Sequence, residues 1–260
     1  MINNSAPSSY TWQDALKAIQ SWKWFAYVPA EGQEWLAKRA VLQKFNQGTL
    51  VYIDEDQATN IYAVMDGVFR IYLASKKGDE ITLEEVVSSG WFPHTIPKVQ
   101  PHYSGNCVCQ QDATVFAFPL SVMAEFSTLW PSYYRGLYSE LADRAGVTLG
   151  LIELQGLHNV NVRLAVHLLR MAQIRGVMEA DGSCWIATDI NQTEVGTRVG
   201  AARQRVNKAL KYFVGKNLID YQKAGIRILD IVGLTKEAKK SGFNLERYVS
   251  SWHGGWQGQK

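Results

Sequence analysis

The chain of 260 residues contains no run of about 18 uncharged apolar residues, which excludes a membrane-spanning helix. Its first ten residues, MINNSAPSSY, lack the basic start and apolar middle of an export signal, so a soluble, cytoplasmic protein with no membrane partner is expected. Cysteine is scarce: Cys107, Cys109 and Cys184 are an odd number in a chain too long to need disulfide staples, which fits a reducing compartment. Cys107 and Cys109, two apart on a strand-like stretch, face one side, but two thiols cannot supply a four-thiolate iron–sulfur cluster; they read as buried structural cysteines. A tight His-x-His plus Glu set, a Ser-His-Asp signature and a nucleotide loop are all missing. No catalytic residue, metal ligand or cofactor is therefore assigned, and the chain reads as a non-enzyme.

Charge is present but unevenly placed. The net +3 conceals 11 Lys and Arg against 16 Asp and Glu in residues 1–160, and 16 against 8 in residues 161–260. Dense cations in the C-terminal part alone point to a polyanionic partner for that part.

Three zones follow along the chain. From Trp12 to Lys44 the apolar spacing is helical, with Ala15, Ile19 and Trp22 on one stripe and Trp35, Leu36 and Leu42 after Pro29. From Leu50 to Leu120, short Val/Ile/Tyr/Phe runs alternate with turn signals. Asp66-Gly67, between Ile61-Tyr-Ala-Val and Val68-Phe-Arg-Ile-Tyr-Leu, predicts a hairpin, because a two-residue type I′ turn needs positive φ twice. Lys77-Gly78-Asp79 and Ser88-Ser89-Gly90 predict further turns at the spacing of an antiparallel roll, sandwich or barrel. Pro131 then opens a long amphipathic helix to Leu154 of about 35 Å, its stripe running through Tyr134, Leu137, Leu141, Ala145, Leu149 and Ile152. It is longer than a small β module needs for cover, which leaves part of the stripe for a second copy. Gly156 is expected to end it at a hinge, before a helix from Val162 to Ala172 whose inner face is Leu164, Leu168 and Met171.

The segment from Ile190 to Leu229 carries the chemistry. Asn191 and Glu194 make a capping-box-like start for a short helix, Gln192 to Val199. Gly200 sits where a tight inter-helical turn needs a residue without Cβ, and a second helix follows with Val206 and Leu210 facing inward. Arg203, Gln204, Asn207, Lys208 and Lys211 are then left on the outer face, side chains that reach phosphates or base edges in a major groove about 12 Å wide. Two strand patterns around Lys223-Ala-Gly225 read as the wing of a winged helix-turn-helix that binds double-stranded DNA.

These pieces, in this order, resemble the Crp/Fnr superfamily of regulators: Ile61-Tyr-Ala-Val-Met-Asp-Gly-Val, Arg163-Leu-Ala-Val-His-Leu-Leu, Glu194-Val-Gly and Gly200-Ala-Ala-Arg-Gln-Arg-Val. The resemblance implies an α+β chain. A cyclic-nucleotide-binding-like β-roll with its helical lead-in occupies residues 1–130, a dimerisation helix and hinge 131–157, and a winged helix-turn-helix with a tail 158–260. It further implies a homodimer on palindromic DNA sites and RNA polymerase as a partner. By position, Arg203, Gln204 and Lys208 match base-reading residues, Gln192 and Thr193 phosphate-facing ones, and Ala202, Asn207 and Lys211 complete the expected contact set. Gln204 departs from the glutamate common there.

In such regulators a Gly-Glu-Leu loop and an Arg-Ser pair hold the cyclic phosphate. Here Pro93-His94-Thr95 and Tyr103-Ser104 stand in their place, so proline removes a donor and tyrosine replaces the cation. The expected effector is something other than cyclic AMP, or none, with Trp91, His94, Tyr103 and Ser104 as the candidate pocket. His94 and His102 read as loop histidines; Trp22, Trp24, Trp35 and Trp91 read as core. The alternative from another class is a cupin-like metal-dependent enzyme or a small-molecule-binding roll with an accessory domain. The polar, glycine-rich tail ending in Ser251-Trp-His-Gly-Gly-Trp-Gln-Gly suggests no function.

Overall fold

A computed structural model describes residues 10–22, 25–93, 101–187, 192–222 and 225–245. The chain is α+β and divides into two compact units, residues 1–143 and 144–260.

The first unit opens with helices α1 (Trp12–Ser21) and α2 (Ala30–Ala37). Six strands follow, β1 (Val41–Phe45), β2 (Leu50–Tyr52), β3 (Asn60–Ala74), β4 (Glu80–Val86), β5 (Trp91–Phe92) and β6 (Asn106–Pro119), then helix α3 (Leu120–Leu129) and the start of α4 (Tyr133–Leu157). The strands form one antiparallel sheet in the order β1-β6-β3-β4, with β2 added on β6 and β5 on β3. Leu42, expected on the helical lead-in, lies instead in β1 opposite Phe116. A few apolar residues after a helix end do not separate a period of 3.6 from a period of 2, and the open edge of β6 decides the matter.

The larger correction concerns Asp66-Gly67. No hairpin forms there: β3 continues through it for 15 residues, because both flanking runs pair with the same partner, β6. Gly67 has φ of +96°, and the register against β6 shifts on either side of it, between Val64 and Asp66 and again between Asp66 and Val68. This is a β-bulge. A Cβ on Gly67 would come within 2.6 Å of Ala113 Cα and 2.8 Å of Asp112 O, so the close approach of β6 requires glycine. A bulge and a type I′ turn make the same local demand for positive φ, and only the partner strand tells them apart. The other two turn signals hold: Ser75 N–H donates to Asp79 O at 2.7 Å around Gly78, and Ser88 to Gly90 link β4 to β5.

Alternation along the strands separates two apolar layers. Phe69, Phe92, Tyr62, Val115 and Ala117 point into the roll, while Trp91, Phe116 and Phe118 point out beneath Ile19, Trp22, Phe25, Phe126 and Leu137 of the covering helices.

The second unit takes the rest of α4, then α5 (Val160–Arg175), β7 (Val177–Met178), β8 (Cys184–Ala187), α6 (Gln192–Val199), α7 (Arg203–Gly215), β9 (Ile219–Gln222), β10 (Gly225–Ile228) and α8 (Ile231–Ala238). A β7-β8-β10-β9 sheet and the helices enclose one core of Leu164, Leu168, Met171, Val195, Val206, Leu210, Phe213, Ile226 and Leu234. Gly156 does not end α4, which runs on through Leu157. The break is made by Asn159, whose Oδ1 accepts from the N–H groups of Asn161 (3.0 Å) and Val162 (3.2 Å) and so caps α5 two residues earlier than the apolar pattern begins. Among the described residues no helix is long and apolar enough to cross a membrane.

Candidate nucleic-acid interface

The site is built on the α6–turn–α7 unit. Val195 and Val199 bury one face of α6 in the unit's core. Asn191, the expected capping residue, lies outside the described residues; Gln192 and Thr193 form the first turn of α6, but their side chains also lie outside them. The turn is tight: Ala201 N–H donates to Gly196 O at 2.9 Å, and a Cβ on Gly196 would stand 2.5 Å from Ala201 O. Gly200 takes φ of +60°, the left-handed conformation its position in the sequence called for.

Helix α7 buries Val206, Ala209, Leu210 and Phe213. Its opposite face presents Arg203, Gln204, Lys208 and Lys211 to solvent, with Ala202 exposed at the N-cap and Asn207 half-buried. From Arg203 to Lys211 this face spans about 12 Å; Gln204, Lys208 and Lys211 follow one another at steps of four and three and so share one side, with Arg203 next to Gln204 at the start of the helix. Arg205 is also exposed on the same helix and was not among the expected contacts. It is legible as a cation in the motif, but it sits next to the inward-facing Val206, so steps of three and four along the outer face pass over it.

Behind α7, a polar cluster fixes the helix to α8. Glu237, only 8% exposed, accepts from Lys216 Nζ at 2.7 Å, Lys240 Nζ at 3.3 Å and the Tyr212 hydroxyl at 3.2 Å. Burial pushes the Glu237 carboxyl up, but the hydrogen bonds from Lys216 and Lys240 outweigh it and hold the group below its ordinary value. The same bond to Glu237 raises Lys216 to about 12. The expected wing is the β9–β10 hairpin, Ile219 opposite Ile228 and Gln222 opposite Gly225, with the turn residues Lys223 and Ala224 outside the described residues. Arg227 in β10 donates to Glu179 at 3.3 Å, which braces the hairpin against the β7–β8 connection.

Of the four candidate effector residues, the three that are described do not meet in one pocket. Trp91 lies 1% exposed beneath the covering helices, 6.1 Å from the Trp22 ring. Tyr103 lies on the other side of the sheet, inside the roll, stacked on Tyr52 at 3.9 Å and 8°. Its hydroxyl accepts from Thr59 N–H at 3.1 Å, which ties it to the start of β3. Ser104 is exposed, and His94 lies outside the described residues. Cys107 and Cys109 are both fully buried in the roll; burial raises both thiols, Cys109 to about 11, and Cys109 Sγ donates to Gln111 O at 2.8 Å. They are packing residues. His102 is exposed in a lone bridge opposite Gln57, and Trp22 and Trp35 pack among aromatic rings, Trp35 5.4 Å from Trp130. Trp24 and the Ser251–Gly258 tail lie outside the described residues.

Residues 42–128 match the cyclic nucleotide-binding domain and residues 162–237 the Crp-like helix-turn-helix domain. Over 77 residues the chain is 35% identical to the CRP-like cAMP-activated global transcriptional regulator of Mycobacterium tuberculosis, a stretch that covers 30% of this chain and 34% of that regulator. The chain thus spans about a third of the length of the curated relative it matches. Among solved structures, it shares the fold of FixK2 from Bradyrhizobium japonicum (TM-score 0.66, 18% identity, 76% of this chain and 96% of that one). It also shares the fold of a putative regulator of the crp/fnr family from Eubacterium rectale (TM-score 0.67, 18% identity, 85% and 99%). A roll that matches the one domain, followed in the same chain by a helix-turn-helix that matches the other, places this protein in the Crp/Fnr family.

Proposed function

We propose that the protein is a homodimeric transcription regulator that works in the cytoplasm, reads palindromic duplex DNA with α7 and acts on RNA polymerase. The observation that carries this reading is the two-sided character of α7: one face is buried in the unit's core and the other presents Arg203, Gln204, Lys208 and Lys211 outward. Arg203, Gln204 and Lys208 read base edges in the major groove, while Gln192, Thr193, Ala202, Asn207 and Lys211 hold the backbone and register. Arg205 adds a further phosphate contact beside them.

The dimer reading rests on α4. Tyr138, Leu149 and Ile152 are 77%, 61% and 64% exposed, an apolar edge at coiled-coil-like spacing that suits a second copy of the same helix. The roll takes an effector other than cyclic AMP, or none, since the position that should carry the phosphate-binding cation holds Tyr103.

The test is selection of a duplex from a random library, followed by titration. Full-length protein binds the selected site as a dimer with strong salt dependence, and Arg203→Ala weakens it by about 1–3 kcal/mol and relaxes one base preference per half-site. Uniform weakening on all sequences would make Arg203 a phosphate contact. Failure to select any sequence, or salt-independent binding, would overturn the DNA reading. Leu149→Asp is expected to yield monomers in sedimentation.

A further inference from the structure

The turn that aims α7 is held by two side chains outside the helix-turn-helix. Arg163, in the first turn of α5, donates from Nη1 to Gln155 Oε1 at 2.8 Å and to Gly200 O at 3.3 Å. Gln155 belongs to the last turn of α4. The packing is close: a Cβ on Gly200 would collide with Gln155 Oε1 and stand 3.3 Å from Arg163 Nη1. The absence of a side chain at 200 therefore serves two ends, the left-handed φ of the turn and the seat for the Gln155 amide.

Among the described residues no carboxylate pairs with Arg163; its acceptors are a neutral amide and a backbone carbonyl. Burial and the nearby Arg205 both disfavour its charge. The guanidinium is kept in place by geometry, as one planar group that meets two acceptors on different elements. A carboxylate at 155 was not needed to hold it, and the neutral amide leaves the positive face around α7 undiminished.

We propose that Gln155 and Arg163 form a latch through which the end of α4 sets the angle of the α6–α7 turn, which makes Arg163 a positioning residue for DNA recognition rather than a DNA contact. This rests on the DNA-binding reading, but the latch has a signature in the free protein. The carbonyl of Gly200 lies in the turn, two residues before Ala202 caps α7, so a loosened Gly200 loosens the point from which the helix is aimed. Any change that frays the last turn of α4 removes Gln155 and releases the turn, which couples the state of that helix to operator affinity.

The experiment compares full-length wild type with Gln155→Ala, Arg163→Ala, the double variant and Gln155→Glu. By hydrogen exchange without DNA, amides from Gly196 to Gln204 are expected to exchange about tenfold faster than wild type in each alanine variant, no faster in the double than in either single variant, and at the wild-type rate in Gln155→Glu. Exchange in the α5 core, around Leu164 and Leu168, stays slow in all of them and reports an intact fold. On the selected operator, both single variants lose about tenfold in affinity with an unchanged salt slope, whereas a lost phosphate contact would reduce that slope by about one. Unchanged exchange at the turn, or additive effects in the double variant, would overturn the latch. A reduced salt slope for Arg163→Ala would reassign it as a phosphate contact. If wild type binds no duplex while the exchange pattern appears, the DNA reading fails and the latch stands as a structural link alone.

Discussion

The inside of the roll and the outside of α7 both carry side chains suited to binding, under opposite conditions. In the roll, Tyr52, Tyr62 and Tyr103 are each about nineteen-twentieths buried, and burial drives the hydroxyls of Tyr52 and Tyr62 far from ionisation. On α7 the polar groups are solvated and positively charged, and the apolar side is the one that is hidden. Both regions match the family's domains, and their surfaces differ in chemistry: the inside of the roll is lined with packed aromatic rings, the outside of α7 with solvated cations. A solvated cationic face needs no packing partner and can persist by charge alone. Inside the roll the aromatic rings are each other's packing partners: Phe92 lies 4.7 Å from Phe69 and 5.1 Å from Tyr62, and Tyr103 stacks on Tyr52.

The sharpest way to break this comparison is to cut one ring from each core. Phe69→Ala in the roll and Phe213→Ala under α7 each remove a fully buried phenyl group and are expected to cost about 3–5 kcal/mol. Each loss should stay within its own unit in hydrogen exchange, since the two residues belong to separate apolar cores. Phe69→Ala opens a cavity of benzene-like size, so it should also admit small apolar molecules that wild type excludes. If wild type takes them up equally well, the roll is not closed.

How much of this was legible in the sequence differs between the regions for the same reason. Helix α6, the positive φ at Gly200 and the outward face of α7 follow from local rules, because a cap, a turn and a 3.6-residue period are written within a dozen residues. The wing hairpin is legible too, from two short β-prone runs around a glycine. The Asp66-Gly67 bulge was not, since its distinction from a hairpin lies in pairing with β6 some 50 residues later. Trp91 and Tyr103 belong to a stretch that resembles one loop cassette, yet the two point to opposite faces of the sheet. The Gln155–Arg163–Gly200 contact spans 45 positions, and no spacing rule connects a glutamine near a helix end to a glycine in a distant turn. Helix α3, strand β7 and helix α8 carry too few residues of clear period to announce themselves.

A middle-sized effect sharpens the charged side of the comparison. Glu237→Gln should destabilise the second unit by about 1–2 kcal/mol at neutral pH, at the low end for charged hydrogen bonds because Lys216 is 44% exposed. The carboxyl is held below its ordinary value of 4.5, so its contribution is present above that pH and is lost as pH falls through the depressed folded value. Lys216, raised from 10.5 to about 12, contributes below 10.5 and loses its contribution as pH rises through about 12. Stability curves of wild type and Glu237→Gln should therefore diverge most between about pH 5 and 10 and converge in acid. A constant gap down to pH 2 would place the effect in packing instead of charge.

Tyr103 offers a smaller test in the roll. Tyr103→Phe removes the acceptor for Thr59 N–H but leaves the stack on Tyr52, and Thr59 is exposed enough for water to replace the bond. A cost of about 0.5–1.5 kcal/mol is expected by chemical denaturation. A loss several times larger would show that the hydroxyl organises more of the roll than the start of β3.

The smallest expected effect is none: cyclic AMP added to the full-length protein at micromolar concentration should release no binding heat and leave operator affinity unchanged. A cyclic phosphate brought into the roll would shed its hydration, and an unpaired buried charge is costly unless a cation and hydrogen bonds replace the water. At the position where the family resemblance would put that cation, Tyr103 is 5% exposed, its ring covered by Tyr52 and its hydroxyl engaged at Thr59. Arg70, a cation inside the same sheet, is already bound to Glu80 at 2.8 Å and lies over the Tyr72 ring. Restoring the cation alone should not restore the ligand. Tyr103→Arg places a charge where the roll offers an aromatic seat, and it should destabilise the first unit by about 3–5 kcal/mol without conferring binding, since Pro93 still lacks the N–H donor of the loop. Saturable micromolar heat with wild type would show that the rings part for a ligand and that the roll is a latent pocket; saturable heat with Tyr103→Arg alone would show that one missing cation was the whole difference between the two regions.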